Sequence, residues 1–74
     1  MAALEAPYEV IITVVRWWPT DGPEYINWSL FFDTLQEAIA AARYYVEDLG
    51  CEEAEVWDHF ETLPGFVKRY VRRP

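Results

Sequence analysis

The run Tyr8-Glu9-Val10-Ile11-Ile12-Thr13-Val14-Val15-Arg16-Trp17-Trp18 is rich in β-branched and aromatic residues and holds neither glycine nor proline. This is the composition of a β-strand. Side chains alternate across a strand, so Tyr8, Val10, Ile12 and Val14 share one face, while Ile11, Thr13, Val15 and Trp17 share the other. Both faces are largely apolar. A strand of this kind belongs in the middle of a sheet, with one face under a helix and the other against something else.

The flanking sequence supplies the rest of that sheet. Pro19-Thr20-Asp21-Gly22-Pro23 concentrates turn formers and predicts a hairpin into a second strand that starts at Tyr25. There Ile26, Trp28, Leu30 and Phe32 form the core set, and Tyr25, Asn27, Ser29 and Phe31 point the other way. Asp33-Thr34-Leu35-Gln36-Glu37 then offers a capping box, with Thr34 and Glu37 each expected to satisfy a free backbone donor. Leu35, Ala38, Ile39, Ala42, Tyr45, Val46 and Leu49 recur at helical spacing, Ala40 to Ala42 are small enough for close packing on a sheet, and Gly50 suits a left-handed cap. The helix is therefore expected to end near Leu49.

Glu53 to Phe60 reads as a third strand, with Ala54, Val56 and Phe60 inward, Asp58 interrupting them, and Glu55, Trp57 and His59 outward. Leu63-Pro64-Gly65-Phe66 fits a type II turn, and Phe66 to Val71 reads as a fourth strand. The expected architecture is a single α+β domain over residues 1–74 in the order ββαββ, a four-stranded antiparallel sheet with one helix packed on one face. Residues 1–7 form a lead, and 72–74 a frayed tail. If the helix carries the chain back, the third strand pairs with the first and the spatial order is 2-1-3-4. Val15, Trp17, Trp57 and His59 are then expected mid-surface on the open face, with Tyr25 and Phe31 beside them.

Composition narrows the function. Four tryptophans, five tyrosines and four phenylalanines sit in only 74 residues, and the net charge is -7. A chain this small buries barely enough surface to offset its ordering, so self-association would help it. The open-face set Ile11, Val15, Trp17, Tyr25, Phe31 and Trp57 would make an apolar patch larger than a monomer usually exposes. A protein partner, an identical subunit or the chain's own lead and loops would cover it. Trp17, Tyr25, Phe31 and Trp57 are the expected contact residues, because Trp and Tyr dominate binding hot spots.

All thirteen acidic residues precede Lys68, where they face only Arg16 and Arg43. Glu47, Asp48, Glu52, Glu53 and Glu55 make an acidic rim, and Glu47 and Asp48 stand at the helix C-terminus, where the macrodipole disfavours anions. In size and charge the chain resembles small phage-encoded inhibitors, some anti-CRISPR proteins among them, whose carboxylates imitate a phosphate backbone. That likeness implies an inhibitor or adaptor on a larger, basic, nucleic-acid-handling partner. The plain alternative is a solvated face that keeps the protein soluble. The basic tail of Lys68, Arg69, Arg72 and Arg73 could touch nucleic acid weakly or fold back on the acidic body. Direct nucleic-acid binding is disfavoured by the overall charge and by the lack of the RNA-binding signature strings.

Chemistry finds little foothold. Cys51 is the sole cysteine, which excludes an internal disulfide and a cysteine-based zinc site. His59, the sole histidine, has Asp58 and Glu61 nearby, fewer well-placed ligands than zinc needs. Ser29 lies in no nucleophile or phosphate-loop motif. The expectation is a non-enzymatic module without cofactor or metal, with a structural homodimer subunit as the other reading. Its apolar runs are too short to span a membrane and Met1 to Glu5 lacks signal-peptide character, so a cytoplasmic setting is expected.

Overall fold

The computed structural model describes residues 6–59 and 65–72. It has the α+β arrangement the sequence predicts: strands β1 (Tyr8–Trp18), β2 (Gly22–Phe32), β3 (Glu53–Asp58) and β4 (Gly65–Val71), with helix α1 (Leu35–Arg43) between β2 and β3. The four strands form one antiparallel sheet in the order β2-β1-β3-β4.

Alternation along β1 sets the layers. Val10 and Ile12 are fully buried under the helix, together with Ala54 and Val56 of β3. From above, Ala38 and Ala42 are also fully buried, because alanines let the helix axis come close to the sheet. Val46 and Cys51 complete the core, and Tyr8, Val14, Leu30, Phe32, Tyr45 and Tyr70 pack around it. Ala40, expected at the contact, is exposed.

The helix start is a capped one, in a form that differs from the expected box. Thr34 Oγ1 accepts from the Glu37 backbone N–H at 3.1 Å, and the Thr34 hydroxyl donates to the Glu37 carboxylate at 3.0 Å. Only the first of these satisfies a helical backbone donor. The helix end also departs from expectation, because Tyr44–Asp48 form a π-helical turn in which the Leu49 N–H donates to the Tyr44 carbonyl at 3.1 Å. Such a turn advances each residue by less than the 100° of an α-helix, so the apolar stripe slips in phase. Val46 stays buried, whereas Leu49, expected in the stripe, is exposed. Leu35 at the first turn is likewise at the surface. Gly50 closes the segment at φ 74°, the left-handed geometry its position required.

Three boundaries move. β2 begins at Gly22 rather than Tyr25, since Gly22 at φ 81° turns the chain straight back and pairs with Trp18. β3 stops at Asp58, and His59 continues the ladder by one bond, its N–H donating to the Pro7 carbonyl at 2.8 Å. β4 begins at Gly65 rather than Phe66, and Gly65 lacks the positive φ that the expected type II turn requires there, while Leu63 and Pro64 of that turn and the expected inward Phe60 lie outside the described residues.

Register carries the largest consequence for function. β3 pairs with β1 only from Tyr8 to Thr13, whereas β2 pairs along the whole of β1. Residues 14–18 and 22–26 therefore project past the sheet as a two-stranded arm. Among the described residues no helix is long and apolar enough to cross a membrane.

Candidate functional site

Among the described residues no element covers the sheet face opposite α1, and the cross-strand register fixes what it displays. On the arm, Val15 is opposite Tyr25 and Trp17 is opposite Pro23. Trp17 is 71% exposed and Tyr25 65%, the two largest exposures among the big apolar side chains. Neither ring has a hydrogen-bond or ring partner among the described residues. Trp18, on the arm's other face, is tied down: its indole N–H donates to Glu24 Oε1 at 2.9 Å, and the Arg16 guanidinium lies 5.6 Å from the ring centroid. The guanidinium over the ring is the favourable cation–π geometry.

The middle of the bare face is polar. Thr13 Oγ1 donates to Asn27 Oδ1 at 2.7 Å, and Glu53 and Glu55 of β3 face Arg69 of β4. Beyond it a second aromatic row crosses the sheet: Phe31 of β2, then Glu9 of β1, then Trp57 of β3 and Phe66 of β4. Trp57 and Phe66 meet edge to face with centroids 5.4 Å apart. Phe31 and Phe66 are exposed, whereas Trp57 is half-buried and donates its indole N–H to Glu55 Oε1 at 3.3 Å.

The four expected contact residues thus share one face but form two groups. Trp17 and Tyr25 stand on the arm; the row of Phe31 and Trp57 crosses β1 at Glu9, eight residues from Trp17 and six from Val15 opposite Tyr25, about 26 Å and about 20 Å at about 3.3 Å each. The mid-surface position expected for Val15 and Trp17 is corrected by the short overlap of β3 with β1. His59 belongs with the second group, because its Nε2 lies 2.7 Å from Glu9 Oε1.

Glu9, passed over in the sequence reading, organises this end. It accepts from Ser29 Oγ at 2.6 Å while holding His59 on its other oxygen. The carboxylate is central and both neighbours address it. In a nucleophilic triad the histidine stands between the hydroxyl and the carboxylate. Ser29 therefore lacks the histidine base of such a triad, and its hydroxyl donates directly to the Glu9 carboxylate. The alternation of polar Glu9 within an apolar strand was the signal available for it. Among the described residues no group of three His, Cys, Asp or Glu side chains is placed to hold a metal ion. Cys51 is buried, and desolvation pushes its thiol pKa above the ordinary value, which favours the protonated thiol over the nucleophilic thiolate.

The acidic rim is partly neutralised by the tail. Arg69 lies 3.0 Å from Glu55 and 3.8 Å from Glu53, and Arg72 lies 3.7 Å from Glu52. Glu47 pairs with Arg43 at 3.5 Å on the helix, and Asp48 is exposed with no ion pair among the described residues. Glu53 and Glu55 sit on the bare face, while Glu47 and Asp48 sit on the helix layer, so the five do not make one surface. Lys68 lies on the helix side of β4, its ammonium 5.3 Å over the Tyr70 ring, where it lines an open groove of about 610 Å³ between β4 and the π-helical turn. Arg73 lies outside the described residues. Compared with protein-family models, curated proteins and solved structures, the chain matches none of them.

Proposed function

We propose that this protein is a non-enzymatic protein-binding module that docks through the bare face of its sheet, with the arm rings Trp17 and Tyr25 as the principal contacts. The observation that carries this reading is the exposure of these two adjacent rings, 71% and 65%, at the end of a sheet whose opposite face the helix covers. Large aromatic rings gain most from being covered, and their few rotatable bonds make that gain inexpensive in entropy. The edge-to-face pair of Trp57 and Phe66, with Phe31, offers a second, smaller contact at the far end of the same face.

Charge defines the partner's chemistry. At net charge -7 the protein is steered toward a larger, basic protein, which fits an inhibitor or adaptor of a nucleic-acid-handling machine. Within the acidic rim, Asp48, which has no ion pair among the described residues, and Glu47, exposed though paired with Arg43, are the carboxylates freest to contribute. Glu52, Glu53 and Glu55 contribute less, because the molecule's own arginines already answer them.

The test is capture of the partner from a host lysate followed by affinity measurement with variants. Trp17→Ala is expected to weaken binding by about 2 kcal/mol or more, and Tyr25→Ala by a smaller amount. Unchanged affinity for both folded variants would overturn the reading.

A further inference from the structure

Strand β2 lies at the outside of the sheet along its whole length, and one of its edges is unpaired among the described residues. The His59 N–H donates to the Pro7 carbonyl, so odd-numbered residues of β1 direct their backbone groups toward β3 and even-numbered ones toward β2. Even residues of β1 stand opposite even residues of β2. The N–H and C=O groups of Tyr25, Asn27, Ser29 and Phe31 therefore point outward. Of the residues beyond those described, 60–64 and 73–74 adjoin β3 and β4, on the far side of β1. Residues 1–5 span at most about 18 Å from Ala6, whereas the lane beside Trp28 is about 22 Å away, six residues along the strands and two strand spacings across.

Outer edges are normally blunted by proline, charge or a bulge. The other outer strand, β4, follows this pattern, with a register irregularity beside Val56 and Trp57 and with Lys68 and Arg69. β2 does not. From Glu24 to Phe32 it keeps a continuous register with β1 and holds no proline and no lysine, and Glu24 is its one charge in a chain of net charge -7. It also displays Tyr25, Trp28 and Phe31, which are 65%, 41% and 58% exposed. Trp28 lies on the helix side of the sheet, and its exposure there is what a missing neighbour strand would leave.

We infer that Glu24–Phe32 is a homodimer edge, at which a second copy of this chain pairs antiparallel about a two-fold axis at Trp28. In this register Tyr25 meets Phe31 of the other copy and Asn27 meets Ser29, and each of these pairs exchanges backbone hydrogen bonds. The pairs are matched in chemistry. On the bare face an aromatic ring stands beside an aromatic ring, and the Asn27 amide, whose oxygen already accepts from Thr13, presents its N–H to the Ser29 hydroxyl that donates to Glu9. On the helix side the two Trp28 rings adjoin across the axis, and Ile26 meets Leu30. Glu24 of each copy meets Phe32 at an end of the stretch, far from its own counterpart, and Pro23 falls just past the pairing. An axis at Asn27 would instead bring Pro23 into the ladder opposite Phe31, and an axis at Ser29 would set Asn27 against Phe31. At about 200 Å² a ring, Tyr25, Trp28 and Phe31 leave about 330 Å² per copy in water. With the backbone strip, the two copies can together bury about 1,000 Å², the lower bound for a specific interface. Pairing also places Tyr25 of one arm beside Phe31 in the aromatic row of the other copy, which joins the two ring groups that stand apart within one chain. The inference goes beyond the protein-binding reading, and Trp17, on β1, stays exposed in it.

Sedimentation of the pure protein and cysteine cross-linking test it. The wild type should sediment at twice 8.7 kDa when concentrated and fall toward 8.7 kDa on dilution. Asn27→Pro, which removes an outward N–H that β1 does not use, and Trp28→Lys, which installs the usual edge protection, should each raise the dimer dissociation constant about tenfold or more while far-UV circular dichroism stays unchanged. Two-fold pairing places the Trp28 Cα atoms about 4.5 Å apart, within the range of a disulfide. Trp28→Cys should then cross-link rapidly on mild oxidation, whereas Thr20→Cys at the exposed arm tip should not. A wild type that sediments at 8.7 kDa from micromolar to millimolar concentration overturns the inference, as does a dimer that both edge substitutions leave intact. Cross-linking no faster at Trp28 than at Thr20 overturns it whether or not the edge variants fold. A monomeric result would leave the protein-binding reading standing, since that is judged by partner capture and the Trp17→Ala affinity.

Discussion

Ile12→Ala and Trp17→Ala lie on the same strand and should cost stability in the reverse order of the atoms they remove. Ile12 is fully buried beneath the helix, opposite Ala54 and Trp28 in the register, so its truncation loses transfer energy and leaves a cavity, together about 3–4 kcal/mol. A domain of 74 residues has a total stability of about 4–11 kcal/mol, so this one change consumes about a quarter or more of it. Unfolding entropy for a chain of this length makes 1 kcal/mol worth about 6 °C, and the expected fall in Tm is about 20 °C. Trp17 leaves 71% of its surface in water. Folding therefore removes only about 70 Å² of it from solvent, which at about 25 cal/mol per Å² is an upper bound near 2 kcal/mol, and a compact unfolded state brings it to about 1 to 1.6 kcal/mol. Thermal and urea unfolding followed by far-UV circular dichroism, at protein concentrations low enough to hold the monomer, separates the two. A Trp17→Ala loss equal to that of Ile12→Ala would mean the indole is packed, and the claim of a bare face would fall.

Three further outcomes follow from particular residues. Gly50→Ala should lower stability by about 1 kcal/mol in urea titrations, entirely through the left-handed backbone at φ 74°, because the added Cβ meets no atom within 4 Å. Cys51 should resist thiol reagents in the native state and react freely in urea. Its pKa is raised on folding, so the unfolded chain releases its proton first, and stability should decline as pH climbs through the ordinary thiol range, a slope that Cys51→Ala should flatten. Nucleic acid should not bind measurably at about 0.15 M salt, since Arg69 and Arg72 already answer the protein's own carboxylates; a steep salt-dependent shift of DNA or RNA would instead show that the tail opens.

Much of the fold was legible because two periodicities were clean. Alternation in β1 gave the layers, the Thr34 cap and Gly50 bracketed the helical segment, and the short connections allowed few strand orders; in β2 alternation placed Leu30 and Phe32 against the core, but Trp28, expected beside them, is exposed. The site was harder to read. Parity told which face Trp17 and Trp57 share, but alternation carries no information on how far β3 slides along β1. That offset, set by where the chain returns to the sheet after Gly50, splits the rings into two groups and creates the arm. The π-helical turn was equally hidden, since Tyr44-Tyr45-Val46 satisfies helical spacing and only the widened backbone bond from Leu49 to Tyr44 reveals the phase slip. Pro23 read as a turn residue and obscured the early start of β2, although its place on an outer edge is where a strand tolerates it best. Glu9 was overlooked because a lone acid in a strand reads as solvent-facing, while its partners Ser29 and His59 are remote in sequence.

The central claim, that the arm rings stand bare in the free protein and are covered by a protein partner, is tested most directly by fluorine NMR of 5-fluorotryptophan-labelled protein, with each resonance assigned by substitution. The Trp17 resonance should show the largest solvent isotope shift in the free protein, ahead of Trp18, Trp28 and Trp57, and should lose it on partner binding. A Trp17 resonance insensitive to solvent in the free, dilute protein, or unchanged in the complex, would contradict the account.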